Sequence, residues 1–226
     1  MDNFEFKKEQ LKLAPKILVQ DGFDKVKTIG GAECFTMGNN ILACIVVCKA
    51  DSFEVIETKI YLLTDPLSYH PEFVAYREMP ALIEAYNLLE TEPDVLFVYG
   101  SGILHPRKMG LAAHLGLILN KPTIGITEKL PLGRVEQGKV FLGVEIRGFE
   151  VKTKEFANPI YISPGHLMSL GSALQLTAKT ICYPHKVPEP LQLARKIGRK
   201  KMKELIGGGQ EKAVGFDRES VKTVAA

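Results

Sequence analysis

The sequence predicts an α/β fold in which three antiparallel strands lead into parallel crossover strands, with helices on both faces of one mixed sheet. Three observations carry this. The first third holds three strand-like segments, the last of them alternating apolar and polar residues, between tight-turn signals. The middle holds two short segments that read as buried strands, separated by a stretch with helical spacing. The remainder adds two further strand patterns and two long helical ones.

Residues 6–20, FKKEQLKLAPKILVQ, predict a short helix weakened or kinked at Pro15. After Asp21-Gly22 come strands at 26–37 and 41–50, joined through Gly38-Asn39-Asn40, which supplies the positive-φ residues of a tight hairpin. Asp51-Ser52 makes another turn, and FEVIETKIYLL (53–63) alternates as a half-buried strand does, so the three form a meander. Residues 73–90 have helical spacing, split or opened by Pro80. VLFVYG (95–100) and PTIGI (122–126) are apolar enough to be buried on both faces, and the helix predicted at 109–120 makes them a parallel crossover. Further on, 139–147 and 158–165 are expected strands, and 167–181 and 190–205 expected helices. Gly207-Gly208-Gly209 then opens a polar tail, giving one domain over 1–206 and a flexible segment over 207–226. There is no internal repeat.

With 226 residues, 46% hydrophobic and 24% charged, the chain is long enough for one continuous core, and its composition excludes disorder throughout, collagen and coiled coil. No apolar run reaches the roughly 18–20 residues of a membrane span, and the N-terminus lacks the basic-then-apolar order of a signal peptide, so a cytoplasmic location is expected. The four cysteines have no metal-ligand spacing and suit a reducing compartment as small buried hydrophobes. Charge is uneven. Residues 195–203, RKIGRKKMK, hold six cations and no acid, leaving 23 cations against 26 acids elsewhere. Such a run either touches phosphates or forms a solvated helix face.

Several residues could carry chemistry, each with a plain structural reading beside it. Glu33 interrupts an apolar strand, where a carboxylate is costly unless paired or bound to metal. Glu78 follows Arg77 on a predicted helix and could be a paired or exposed acid. His166 follows Pro164-Gly165 at a strand end, where side chains are aimed outward. In YGSGILHPR (99–107), Gly100 and Gly102 permit close backbone approach, and His105 and Arg107 could reach a base or a phosphate. No third glycine follows at the spacing of a dinucleotide fingerprint.

The segments SYHPEFVAYREMPAL, DVLFVYGSGILHPRKMGLAAHLG, PTIGITEK, ISPGHLMSLGSAL and KVPEP follow one another in an order that resembles the endonuclease V family, from about residue 6 to residue 200. That family comprises metal-dependent nucleases acting on inosine-containing, deaminated nucleic acid, built on an RNase H-like sheet. The resemblance implies that Tyr69, in Ser68-Tyr69-His70-Pro71, pushes into the base stack and holds the gap left by an everted base. It implies that Gly100, Gly102, His105 and Gly125 line the pocket for that base. Arg107, the basic C-terminal helix and the neighbouring Pro71, Arg77 and Lys129 would complete the nucleic-acid contacts.

The departures from the family pattern fall on the metal site. Glu33 stands where the family has Asp. Tyr99 stands where it has a metal-binding Asp, and a neutral phenol of pKa about 10 is a poor ligand for Mg²⁺, which wants hard oxygens. Glu128 stands where the family has Lys, with Lys129 one place late. One strand end has lost a negative charge and its expected neighbour has gained one. Two expectations follow. Either Glu33, Glu78 and Glu128 form a rearranged site for Mg²⁺ or Mn²⁺, with His166 as acid/base or phosphate contact, and the chain hydrolyses a phosphodiester near inosine in DNA or RNA. Or the site has decayed, and a monomeric binding protein keeps the wedge and pocket without cutting. A protein that uses only the scaffold, for another partner, is the third possibility.

Overall fold

The computed structural model describes residues 3–208; most of the expected tail, from residue 209, lies outside the described residues. A nine-stranded sheet running from Thr28 to Pro164, with helices on both faces, holds the core. Helix α1 (Asn3–Leu13) ends in a single 3₁₀ turn at Ala14–Lys16, where Pro15 stops it. Strands β1 (Thr28–Met37), β2 (Asn40–Lys49) and β3 (Val55–Thr64) form the predicted meander. Met37 pairs with Asn40 around Gly38-Asn39, and only Gly38 takes the positive φ, at 58°.

Helix α2 (Val74–Asn87) continues through Pro80, which the sequence expects to split it or to mark its first turn. Pro80 is exposed, and the helix is held instead by Ala75, Ala81, Leu82 and Ala85, all buried against the sheet. Strand β4 (Val95–Tyr99), helix α3 (Leu111–Leu119) and strand β5 (Thr123–Thr127) make the crossover, with β1, β4 and β5 parallel in register. The strand expected over 139–147 is two: β7 (Lys139–Leu142) and β8 (Glu145–Val151) fold back around Gly143-Val144, with Gly143 at φ 64°. A further strand, β6 (Arg134–Glu136), was not expected; it joins β7 through Gln137-Gly138, both at positive φ as a tight hairpin turn requires. Strand β9 (Ile160–Pro164), helix α4 (Leu170–Thr180) and helix α5 (Glu189–Gly208) follow, and α5 continues two residues past the expected domain boundary at 206.

The strand order is β3-β2-β1-β4-β5-β9-β8-β7-β6. Helices α2 and α3 cover one face through Ala32, Ile45, Leu96, Val98 and Leu115; α4 and α5 cover the other through Phe97, Ile126, Ala173 and Leu191. Strand β2 is buried from Ile41 to Cys48 because both faces are covered, which is why it reads as one apolar run. All four cysteines are free. No helix among the described residues is long and apolar enough to cross a membrane.

Candidate functional site

Alternation along β1 puts Ile29, Glu33 and Phe35 on the face covered by α4 and α5, while Ala32 faces α2. Ala32 pairs with Val98, so Glu33 comes level with Tyr99 at the carboxyl end of β4, beside the end of β5, where Glu128 follows Thr127. The ends of parallel strands are where a sheet of this kind presents a site.

A residue that sequence reading left inside a charge run occupies the centre. The Arg195 Nε–H is shared between both carboxylate oxygens of Glu33, at 3.0 Å each, and Nη1 lies 3.5 Å from Glu128 Oε2. Its guanidinium stacks over the Tyr99 ring, with Cζ 4.7 Å from the centroid. The Tyr99 hydroxyl donates to Glu128 Oε2 at 2.9 Å, and Lys186 Nζ lies 3.3 Å from Glu128 Oε1. Burial opposes charge on Glu128, but the Tyr99 hydrogen bond and the cations Arg195 and Lys186 outweigh it and hold its pKa below the usual carboxylate range. Burial, reinforced by Glu128, pushes Tyr99 up to about 12, so the phenol is neutral and donates. Burial raises Glu33 as well, and the hydrogen bond and charge of Arg195 act against it.

Glu78 reaches this region from the opposite face of β1, on α2, where Cys34 Sγ donates to its main-chain oxygen at 3.7 Å. Burial pushes its carboxyl up to about 7, with Arg77 lowering and Glu33 raising it. A carboxyl raised in this way contributes fully to stability below about pH 4.5 and loses that contribution as pH rises through about 7. Glu78→Gln is therefore expected to add about 2 kcal/mol near pH 8 and nothing near pH 4. Thermal midpoints at the two pH values check it; equal shifts at both would contradict a proton-holding Glu78.

The metal centre expected from Glu33, Glu78 and Glu128 does not fit this arrangement. No group of three or more His, Cys, Asp or Glu among the described residues is placed to hold a metal ion. The physical reason is Arg195, which already supplies the cation for Glu33 and Glu128 and uses both Glu33 oxygens, while Tyr99 beside them is a neutral phenol and Glu78 comes from α2 on the opposite face of β1. His166 is not brought to these acids either. Strand β9 is antiparallel to β5, so the His166 carbonyl accepts from Thr123 N, at 3.0 Å, at the other end of β5. The five-residue strand puts about 13 Å between the two ends. There His166 is buried and accepts from Leu18 N at 3.3 Å, pinning the segment after α1.

The expected binding residues divide into two groups. Tyr69 is 64% exposed at the tip of the loop between β3 and the 3₁₀ turn Pro71–Phe73. Its loop is anchored by Arg77 Nη1, which donates to Leu67 O, and by His70, which accepts from Glu72 N at 3.3 Å. Arg77 is thus a strut under the Tyr69 loop. Pro71 opens the 3₁₀ turn, and Lys129 is exposed beyond Glu128.

Gly100, Gly102 and Gly125 pack on one another. A Cβ on Gly125 would lie 2.4 Å from Gly102 N, and one on Gly102 would lie 1.9 Å from Pro164 O. Gly102 N donates to Ser163 Oγ at 2.8 Å, a partner with no sequence signal. His105 accepts from Arg107 N and Met109 N through Nδ1, which leaves Nε2–H to donate to Glu72 O at 3.1 Å. Burial drops its pKa to about 4, so it is neutral at pH 7. Arg107 donates to Gln10 at 2.6 Å and pairs with Glu72 at 2.8 Å, leaving the buried Nη2 without a partner among the described residues. Glu72 therefore ties the Tyr69 loop to the Gly100–Arg107 loop.

The endonuclease V family model matches residues 11–196. The chain is 31% identical over 207 residues to an endonuclease V of Dictyoglomus thermophilum, covering 88% of this chain and 90% of that one. Among solved structures, the endonuclease V of Bacillus subtilis superposes with a TM-score of 0.84 at 29% identity, covering 92% and 95% of the two chains. A variant endonuclease V of Ciona intestinalis in complex with a DNA containing an inosine followed by a ribo-adenosine superposes at 0.81, with 24% identity and coverage of 91% and 100%.

Proposed function

The chain belongs to the endonuclease V family, and from that premise we propose that it binds inosine-containing nucleic acid and leaves the phosphodiester backbone intact. The observation that carries the second half is the guanidinium of Arg195 between Glu33 and Glu128, with Tyr99 closing the group. Nothing in that set is free to activate water: Glu33 is engaged by an arginine, Glu128 is held by three donors, and Tyr99 keeps its proton.

The recognition half rests on the wedge loop and the loop it is tied to. Tyr69 offers a flat, exposed ring on a loop fixed at both ends, the geometry needed to fill a gap in a base stack. Glu72 ties the loop that carries the ring to the Gly100–Arg107 loop, where the everted base would be received against main-chain groups, and Arg107 carries the nearby positive charge. Every residue in this reading comes from one chain, so a monomer suffices.

Anisotropy titrations with inosine-containing and matched unmodified oligonucleotides test it. The parent should prefer inosine strands, and Tyr69→Ala should cut that preference about tenfold without moving the thermal midpoint. Neither Mg²⁺ nor Mn²⁺ should support nicking of the same strands. Nicking that disappears in Glu78→Ala would refute the non-cutting half, and an absence of inosine preference would refute the other.

A further inference from the structure

Helix α5 buries Leu191, Ala194 and Gly198 and sets a second stripe beside them: Gln192, Arg195, Lys196, Arg199, Lys200 and Lys203 line a groove of about 490 Å³. Lys196, Arg199, Lys200 and Lys203 are exposed and form no salt bridge among the described residues, although the charge of Arg199 is felt at Glu33. Lys196 with Lys200, and Arg199 with Lys203, repel at i,i+4, so the isolated helix is strained electrostatically unless a polyanion lies along it. From Arg195 to Lys203 the helix rises about 12 Å, three to four phosphate steps of a stacked strand.

Two exposed rings belong to loops that are tied through Lys186 to Glu128, the acid beside Arg195. Tyr183 is 89% exposed and Phe156 fully so, although both sit on loops fastened to the site. Thr153 Oγ1 donates to Lys186 O at 2.7 Å, joining the two loops, and Lys186 pairs with Glu128. Phe156 adopts φ 59°, a left-handed conformation that bulky residues rarely take, on a loop whose ring meets only solvent. Rings of this kind beside a basic groove are the pairing that takes unpaired polynucleotide, since only bases outside a duplex can stack on them.

We infer that the α5 groove holds the phosphates of a single-stranded polynucleotide running away from Arg195, with Tyr183 and Phe156 stacking its bases. The inference rests on the nucleic-acid reading above but on neither inosine recognition nor the absence of cutting. Charge complementarity selects the occupant: four exposed cations on one helix face, none in a salt bridge among the described residues, match successive phosphates.

A labelled oligothymidylate of roughly 20 nucleotides, longer than one site of this kind and free of inosine, is the probe. Replacing Lys196, Arg199, Lys200 and Lys203 together by Gln should lower the slope of log affinity against log salt by about 3, at an unchanged thermal midpoint. Tyr183→Ala with Phe156→Ala should weaken oligothymidylate binding at least about tenfold, leave the salt slope alone, and spare a duplex of equal length. An unchanged slope in the Gln variant overturns the groove. Equal losses for strand and duplex, or no loss, in the double Ala variant overturn the single-stranded occupant. A parent that binds oligothymidylate with the full slope but shows no inosine preference leaves this inference standing and removes the earlier one.

Discussion

Replacing Arg195 with Ala lowers stability by about 3–5 kcal/mol, the cost of breaking a buried ion pair. For a chain of this size that is a fall in thermal midpoint of roughly 6–20 °C. Glu33 is only 5% exposed, and both of its oxygens accept from Arg195, so the variant strands a carboxylate in the interior with its counter-charge gone. Its remedy is to take up a proton. The folded pKa of Glu33 then rises further above its unfolded value, and the stability tied to the neutral form is complete below that unfolded value and is lost as pH rises. The gap between variant and parent should therefore be smallest near pH 4 and widen toward neutrality. Glu33→Gln added to Arg195→Ala should recover part of the loss. A gap that is flat with pH, with no recovery, would mean that Arg195 stabilises only through its packing on Tyr99.

The second large effect is at Gly102. A methyl there would lie 1.9 Å from Pro164 O and 2.9 Å from Ser163 O, with main chain on both counts, so no side chain can turn aside to admit it. Gly102→Ala should cost about 3 kcal/mol or more, at the upper end of overpacking, and should abolish the inosine preference by pushing the Gly100–Arg107 loop off β9. Gly171→Ala on α4 is the control, because nothing lies within 4 Å of its added methyl. Denaturant titrations of both variants check the pair; similar midpoints for the two would contradict the close packing.

Much of the fold was legible because burial on two faces leaves a plain record in composition. Strands β2 and β4 are continuous apolar runs for that reason, and β5 is short and nearly as buried. The merged strand over 139–147 shows the limit: Gly143-Val144 turns the chain with one glycine inside an otherwise strand-like run, and β6 is three residues with a charge at each end. Pro80 misled in the other direction, since packing by Ala81, Leu82 and Ala85 overrides its missing N–H.

The site was half legible. Glu33, Tyr99 and Glu128 stand out in sequence as departures at the ends of recognisable strands, and the structure brings those three together. Arg195 was hidden by its neighbours in a run of cations, although the spacing of Leu191, Ala194 and Gly198 places position 195 at the rim of the apolar stripe. His166 misled because a local motif does not reveal strand direction; β9 runs antiparallel to β5, so its end lies at the far edge of the sheet from Glu128.

A counter-ion that is part of the polypeptide cannot be chelated, exchanged or diluted away. Because Arg195 is covalently tethered beside Glu33, treatment with EDTA should leave the melting curve untouched, and cellular supply of trace elements should have no bearing on whether this centre stays assembled.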